Sequence, residues 1–404
     1  MTSKIHLLAM LALATSSYQT SAALTDQQNL AAADNVFAFK LLKQLAKDRP
    51  DANIFISPFS AATVLQMVGN GAAGLTKTEM QQVLGTRGLS SDIVNQGNLG
   101  ISQSLNSDNT NIILATANAI WYRQGEPASP DFLALNRQYF GATVAPLNFA
   151  EPHSVDAINA WANEKTCGRI SRIADGLIDP AYTRLFLANA VYFKGKWADP
   201  FDTNDTKDRP FHLSGGGQEN APMMTQTKTF IYRRGTGYQA VRLPYEDENL
   251  AMYVFLPDTN SSPKKLLGLM SGDVWQRITK PGFSEKEGTL VLPKFKLEYS
   301  VKLNQPLQAL GMKAAFSRVK ADFSGIAPAL YISAVLQRTF VEVKEEGTEA
   351  AAVTGMSVPV SAGPEIPPPD PFQMIVDRPF LFLIEDNRSG TILFMGLMFD
   401  PGMN

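Results

Sequence analysis

Apolar residues recur at helical spacing early in the chain and at alternating positions late in it, which predicts two kinds of structure in turn. Asp26–Leu45 carries Val36, Phe37, Phe39, Leu41, Leu42 and Leu45 in a helical pattern, and Ser60–Gly69 and Thr76–Leu84 continue the rhythm. Ser60 stands where an N-cap would, and Thr76 with Glu79 has the spacing of a capping box. Val155–Thr166 and Leu303–Leu310 read as further helices. The later segments Thr229–Tyr232, Tyr238–Pro244, Leu250–Pro257, Thr289–Lys296, Ile332–Val343, Phe380–Glu385 and Gly390–Gly396 are rich in β-branched and aromatic residues and predict strands. Helices early and strands late, with no linker before residue 355 and no internal repeat, predict one α+β domain.

Composition narrows the class. Hydrophobic residues make up 45% and charged residues 18%, enough apolar material for a large core. A formal net charge of −2 speaks against nucleic acid or an anionic membrane as a general partner. Residues 1–22 read as a secretory signal peptide: Lys4, the eight apolar residues Leu7–Ala14, then a small-residue site ending at Ala22. Residues 23–404 are then the exported, mature chain. Cys167 is the single cysteine, so no internal disulfide can form, and it is expected to be a small buried hydrophobe.

Catalytic chemistry finds little footing. Of three histidines, His6 lies in the leader, His153 reads as a loop residue and His212 follows Asp208-Arg209-Pro210-Phe211. Neither His153 nor His212 has a Gly-x-Ser-x-Gly elbow near it, and they show no metal-ligand spacing with Cys167. Gly215–Gly217 lacks a following Lys-Ser/Thr and reads as a hairpin tip; Glu246-Asp247-Glu248 reads as an exposed turn. No enzyme, metal or cofactor is expected.

The most informative stretch is Val343–Thr354, Val-Lys-Glu-Glu-Gly-Thr-Glu-Ala-Ala-Ala-Val-Thr. With a period of two, one face carries Thr348, Ala350, Ala352, Thr354, Met356, Val358 and Val360; the other carries Glu349, Ala351, Val353, Gly355, Ser357 and Pro359. Gly347, the alanines and Pro359 suit an exposed loop equally well. A segment that fits both loop and strand is a candidate switch.

This stretch resembles the reactive-centre-loop hinge of inhibitory serpins, and companion motifs lie along the chain in that family's order. They are Asn53-Ile-Phe-Ile-Ser57-Pro58-Phe-Ser60, Gly71-Ala-Ala-Gly74-Leu-Thr76, Ile158-Asn159-Ala-Trp161 and Asn189-Ala-Val-Tyr-Phe193-Lys-Gly195-Lys-Trp197, then Leu292-Pro293-Lys294-Phe295, Asp377-Arg378-Pro379-Phe380 and Ile392-Leu-Phe394-Met-Gly396. The match runs from about Asn29 to Pro401. Details around Val376 and Asp386 are most similar to bacterial or plant members.

The resemblance implies a single domain with large mixed or antiparallel sheets and a reactive-centre loop over about residues 345–371. It implies suicide inhibition: a serine protease, or a cysteine protease, attacks the loop, and the cut loop inserts as a strand before the acyl-enzyme hydrolyses. Inserting residues 348–361 would span roughly 46 Å at about 3.3 Å per residue. The hinge would comprise Glu345, Glu346, Gly347, Thr348, Glu349, Ala350, Ala351 and Ala352. Glu345 is expected to pair with Lys294, while Ser57, Ser60, Asn189 and Gln337 match the family's polar cluster where the sheet parts. Gln337-Arg338 stands where the family has His-Lys, so histidine-based pH sensing is in doubt there. The scissile bond falls at Ser361–Ala362, or at Val360–Ser361 in a loop one residue shorter, and small residues there suit an elastase- or subtilisin-like pocket. Arg87 is the single basic residue between Thr78 and Tyr122, so a heparin-binding helix is not supported. A secreted monomer is expected, in the extracellular space or a bacterial periplasm. A non-inhibitory carrier, chaperone or storage protein is the alternative. Thr348→Arg is expected to leave folding and loop cleavage intact and to fail only at insertion, where it would bury an unpaired charge.

Overall fold

The computed structural model describes residues 26–105, 112–279, 282–348 and 370–403. Helices α1 (residues 26–48), α2 (Pro58–Gly69), α3 (Gly74–Leu84), α4 (Ser91–Leu105), α5 (Pro130–Phe140) and α6 (His153–Lys165) crowd the first part. Only α7 (Pro263–Leu269), α8 (Gly272–Thr279) and α9 (Asn304–Ala309) follow among the described residues. Strands β1 (Ile54–Ile56), β2 (Ile112–Arg123), β3 (Thr143–Leu147) and β4 (Leu185–Lys196) are interspersed with the early helices. Then come β5 (Lys207–His212), β6 (Gln218–Gly235), β7 (Tyr238–Pro244), β8 (Leu250–Pro257), β9 (Ser284–Pro293) and β10 (Phe295–Lys302). The last are β11 (Ile332–Lys344), β12 (Gly347–Thr348), β13 (Phe372–Ile375), β14 (Phe380–Asp386) and β15 (Thr391–Met398).

Two sheets result. One has nine strands, in the order β1-β15-β14-β8-β7-β6-β9-β13 with β5 on β6; the other has six, ordered β10-β11-β12-β4-β2-β3. The main core lies where Phe55, Phe193, Phe382 and Phe394 meet, with Phe55 stacked on Phe394 at 5.3 Å. A smaller core covers the outer face of the six-stranded sheet, where Trp161 of α6 meets Trp121 of β2 edge-on at 5.1 Å. Strand β4 therefore reads as a continuous apolar run because both its faces are covered.

The α+β expectation holds, but the separation into early helices and late strands does not. Strands β2 and β4 lie inside the helix-rich part and form the middle of the six-stranded sheet. Strand β4, buried on both faces, and the apolar end of β2 lack the alternation that marks a strand with one wet face. Thr289–Lys296, expected as one strand, breaks at Lys294: β9 belongs to the nine-stranded sheet and β10 to the six-stranded one. Lys294 thus sits at the corner between the sheets.

Local caps also differ. Ser57, not Ser60, caps α2: its hydroxyl accepts from the Ser60 N–H at 3.4 Å, and Pro58 takes the first helical position. Thr76 and Glu79 form no capping box. Helix α3 starts two residues earlier, Thr76 Oγ1 accepts from the Asp322 N–H, and Glu79 accepts from the N–H groups of Lys313 and Ala314. His153 is the first residue of α6 and not a loop residue. Cys167 is exposed, with φ 52°, because it lies past the end of α6 in the turn that ends the helix.

Candidate functional site

The six-stranded sheet has an unusual seam. Strands β4 and β11 run parallel and pair directly from Leu185 with Ile332 to Tyr192 with Phe340. Above Tyr192 they part, and the chain turns back through Glu345 and Glu346 to place Gly347 and Thr348 between them as β12. There Thr348 pairs antiparallel with Val343 on one side and with Gly195 on the other. The seam is a wedge, filled at its top by the first two residues after the turn.

Position 347 must be glycine. Its φ is +143°, and a Cβ there would lie 2.2 Å from the Gly195 carbonyl oxygen and 2.6 Å from Lys196 Cα. Gly195 is needed in turn, since a Cβ on it would meet the Tyr245 ring at 2.9 Å. Tyr245 lies flat on Trp197 with ring centres 4.7 Å apart, and its hydroxyl is 3.0 Å from Thr348 Oγ1. Burial holds the Tyr245 phenol well above its usual range, against the opposing pull of the Thr348 hydrogen bond, so it stays neutral. Thr348 itself is fully buried.

Glu345 anchors the turn. Its carboxylate, 4% exposed as a residue, takes a 2.9 Å contact from Lys294 Nζ and a 2.8 Å hydrogen bond from Thr206 Oγ1. Burial pushes the carboxyl up, but the bonds from Lys294 and Thr206 outweigh it and hold the group below its ordinary value. The backbone is pinned as well: Trp197 Nε1 donates to the Lys344 carbonyl at 3.0 Å, Trp197 N to that of Glu346, and Phe201 N to that of Glu345.

Lower on the seam a second polar group bridges the strands. Asn118 of β2, Asn189 of β4 and Gln337 of β11 stand in register on adjacent strands. Gln337 Nε2 donates to Asn189 Oδ1 at 2.6 Å and to the Ser57 carbonyl at 2.8 Å, while Oε1 accepts from the Ser57 N–H at 3.0 Å. Asn189 donates to Asn118 Oδ1 at 2.7 Å and to the Ser60 hydroxyl. Gln337, Asn189, Ser57 and Ser60 are all buried. This network ties the parallel pair to the N-terminus of α2, and its Gln337–Asn189 bond must break if β4 and β11 separate further.

The structure therefore brings together Lys294 with Glu345 and, separately, Ser57, Ser60, Asn189 and Gln337. It also buries Thr348 before any cleavage, where burial was expected only on insertion; the physical reason is the β12 seat beside Tyr245. Glu349, Ala350, Ala351, Ala352, Val360, Ser361 and Ala362 lie outside the described residues. Sequence reasoning missed Thr206, Tyr245 and Asn118, and it cited Trp197 only as part of a motif. Paired glycines at 195 and 347 were the signal that two backbones and a ring converge here. No helix among the described residues is long and apolar enough to cross a membrane, and no cluster of metal-ligating side chains occurs among them.

Comparison with known proteins agrees with this geometry. The family model described as "Serpin (serine protease inhibitor)" matches residues 32–401. The leukocyte elastase inhibitor of Sus scrofa is 37% identical over 391 residues, covering 93% of this chain and all of that one. An uncharacterized serpin-like protein of Thermococcus kodakarensis is also 37% identical, over 372 residues, 91% of this chain and 84% of that one. Among solved structures, the thermophilic serpin tengpin in its native state aligns with a TM-score of 0.83 at 30% identity, covering 92% of this chain and 94% of that chain.

Proposed function

The chain belongs to the serpin family, and from that premise we propose that it is a suicide inhibitor of serine proteases whose cut loop inserts between β4 and β11. One observation carries the reading: Gly347 and Thr348 already occupy the top of that seam, antiparallel to both neighbours. Strand addition of this kind is the recognised mode of serpin loop insertion. Continued insertion would exchange one parallel ladder for two antiparallel ones, pairing backbone groups that the loop otherwise presents to water. Small side chains at residues 350–352 suit a strand entering a narrow opening.

Specificity is proposed at Ser361–Ala362 or Val360–Ser361. A relative named as an elastase inhibitor supports an elastase-like target, and no Lys or Arg lies between Lys344 and Arg378 to attract a trypsin-like enzyme. We place the mature domain at residues 23–404, exported after removal of the leader, monomeric, and with no catalytic turnover of its own.

A gel tests the reading. Purified protein incubated with pancreatic elastase or subtilisin should give an SDS-stable band near the summed masses. Simple cleavage without that band would instead support a non-inhibitory carrier, chaperone or storage role. Ester hydrolysis by the protein alone would revive an enzymatic reading.

A further inference from the structure

One surface recess is walled by hydrogen-bond donors that the protein leaves unmatched. It has a volume of about 300 Å³. Tyr182 reaches it from the turn before β4, Lys302 from the last position of β10 and Gln308 from α9. Ser333 comes from the start of β11, and Arg318 from the segment between α9 and β11. The Arg318 guanidinium lies 4.0 Å from the centre of the Tyr182 ring and 5.8 Å from that of Tyr331. The Tyr331 hydroxyl donates to the Tyr182 carbonyl, which fixes the two aromatic residues relative to each other. A guanidinium held over a ring offers its charge to the π face and keeps its N–H groups for another acceptor.

No such acceptor is supplied by the protein. Among the described residues neither Arg318 nor Lys302 makes an ion pair or a side-chain hydrogen bond. The Gln308 amide and the Tyr182 hydroxyl make no hydrogen bond among them either. The Ser333 hydroxyl accepts from the Arg184 N–H at 2.9 Å, and its own proton meets no acceptor there. Asp179 is the one carboxylate on the wall, and its Oδ1 is taken by the N–H groups of Ala181 at 2.9 Å and Tyr182 at 3.1 Å. Water satisfies isolated donors anywhere on a surface. Here donors from separate elements converge on one concavity, two of them cations facing a single carboxylate. Packing of the Arg–Tyr stack accounts for Arg318 and leaves Lys302, Gln308 and Ser333 unexplained.

We propose that this recess is a binding site for a compact oxyanion of phosphate type, either as the free ion or as the phosphoryl end of a small solute. The guanidinium of Arg318 matches two oxygens of such an ion, and Lys302 supplies the second positive charge. The Gln308, Ser333 and Tyr182 donors serve the remaining oxygens. A carboxylate, with two oxygens in one plane, leaves part of this wall unused. Asp179 repels the ion and sets the affinity, which is expected to lie near the millimolar range. Tyr182 precedes β4 and Ser333 belongs to β11, so a bound ion ties together the two strands of the parallel pair where they begin. The site belongs to the uncut protein as it stands and does not depend on the inhibitor reading.

Isothermal titration of the uncut protein with inorganic phosphate and with glycerol 1-phosphate, against sodium chloride at equal ionic strength, tests the site. Wild type should bind one phosphate with a Kd of about 1 mM, and about 20 mM phosphate should raise its Tm by about 2 °C over chloride. Arg318→Gln should weaken binding about tenfold, and Lys302→Gln about three- to tenfold. Asp179→Asn keeps an Oδ1 acceptor for the two N–H groups and removes the opposing charge, so it should tighten binding about threefold. A packing role for the stack cannot produce that gain. Should Arg318→Gln melt lower without phosphate, Lys302→Gln and Asp179→Asn leave the stack intact and still decide. Tighter binding of glycerol 1-phosphate assigns the site to the phosphoryl end of a solute, and equal or weaker binding assigns it to the free ion. Wild type that binds phosphate no better than chloride overturns the site. So does one phosphate affinity shared by wild type, Lys302→Gln and Asp179→Asn.

Discussion

Tyr245 and Thr348 face each other with hydroxyl oxygens 3.0 Å apart, both wholly shielded from water. The first residue able to enter the sheet is therefore already inside it in the uncut protein, seated on a ring that Trp197 holds flat. This changes what substitutions at 348 do.

Thr348→Val keeps the shape and removes the hydroxyl, leaving the Tyr245 hydroxyl buried without that partner. The uncut protein should lose about 1–2 kcal/mol, seen as a lower Tm. Thr348→Arg cannot keep its guanidinium in the seat. It should push Gly347 and Thr348 out of the seam in the uncut protein as well as block insertion after cleavage. Titration against elastase should then show a rising number of inhibitor molecules consumed per protease inactivated. An Arg variant that melts and inhibits like wild type would exclude both the seat and the insertion.

Breaking the Lys294–Glu345 pair strands a carboxylate that is almost fully buried. Lys294→Met should destabilise the uncut protein by about 2 kcal/mol, discounted because the lysine side chain is 31% exposed. The carboxyl is held below its ordinary value of 4.5, so its contribution is complete above that pH and disappears as pH falls through the lower folded value. Acid titration of Tm for wild type and Lys294→Met should accordingly converge as pH falls below the ordinary glutamate value and through the lower folded one.

Asp34 behaves in the opposite sense. It is buried against α2, where Gln66 Nε2 donates to Oδ1 at 2.8 Å, and Oδ2 has no hydrogen-bond partner. Burial raises its pKa from 3.8 to about 8, opposed only by the Gln66 bond. The unfolded chain loses this proton near pH 4 and the folded one near pH 8, so stability falls as pH rises between them. Glu385, raised from 4.5 to about 7 by burial despite the Trp275 hydrogen bond, adds to the same slope. Asp34→Asn should flatten much of the decline. Chemical denaturation at pH 5 and pH 8 decides it: a variant with the wild-type slope would rule Asp34 out.

Gln337 bridges β4, β11 and α2 without a titratable atom. Gln337→His would place an imidazole there whose charged form is penalised by burial. The ratio of variant to wild-type inhibition rates should become pH-dependent between about pH 5 and 7, beyond the dependence that the protease's own histidine gives to both. Stopped-flow association rates at several pH values measure this, and identical profiles would refute a role for the bridge in parting the seam.

Much of this was legible in the sequence, and the misses share a cause. Strands β7 and β8 were read to their end residues because each alternates or is flanked by turn residues such as Glu246–Glu248. Strand β4 was not, because burial on both faces erases periodicity, and β2 was not, because its apolar end shows the same continuous run. The Glu345–Lys294 and Ser57–Ser60–Asn189–Gln337 groupings were anticipated through family resemblance, not through spacing, since their members lie up to 280 residues apart. Thr206, Tyr245 and Asn118 carry no local signal at all. Thr206 and Tyr245 gain a task only when the turn at Gly347 returns beside Gly195, and Asn118 only when β2 pairs in register with β4.

The half-open seam sets the economy of the proposed inhibitor. A wedge closed at its foot by parallel pairing and opened at its head by two residues can be filled from the top once. After that the sheet has no vacancy left to offer. Such a molecule acts as a titrant and not as a catalyst: its capacity is counted in copies, each protease silenced removes one, and only fresh synthesis restores the supply.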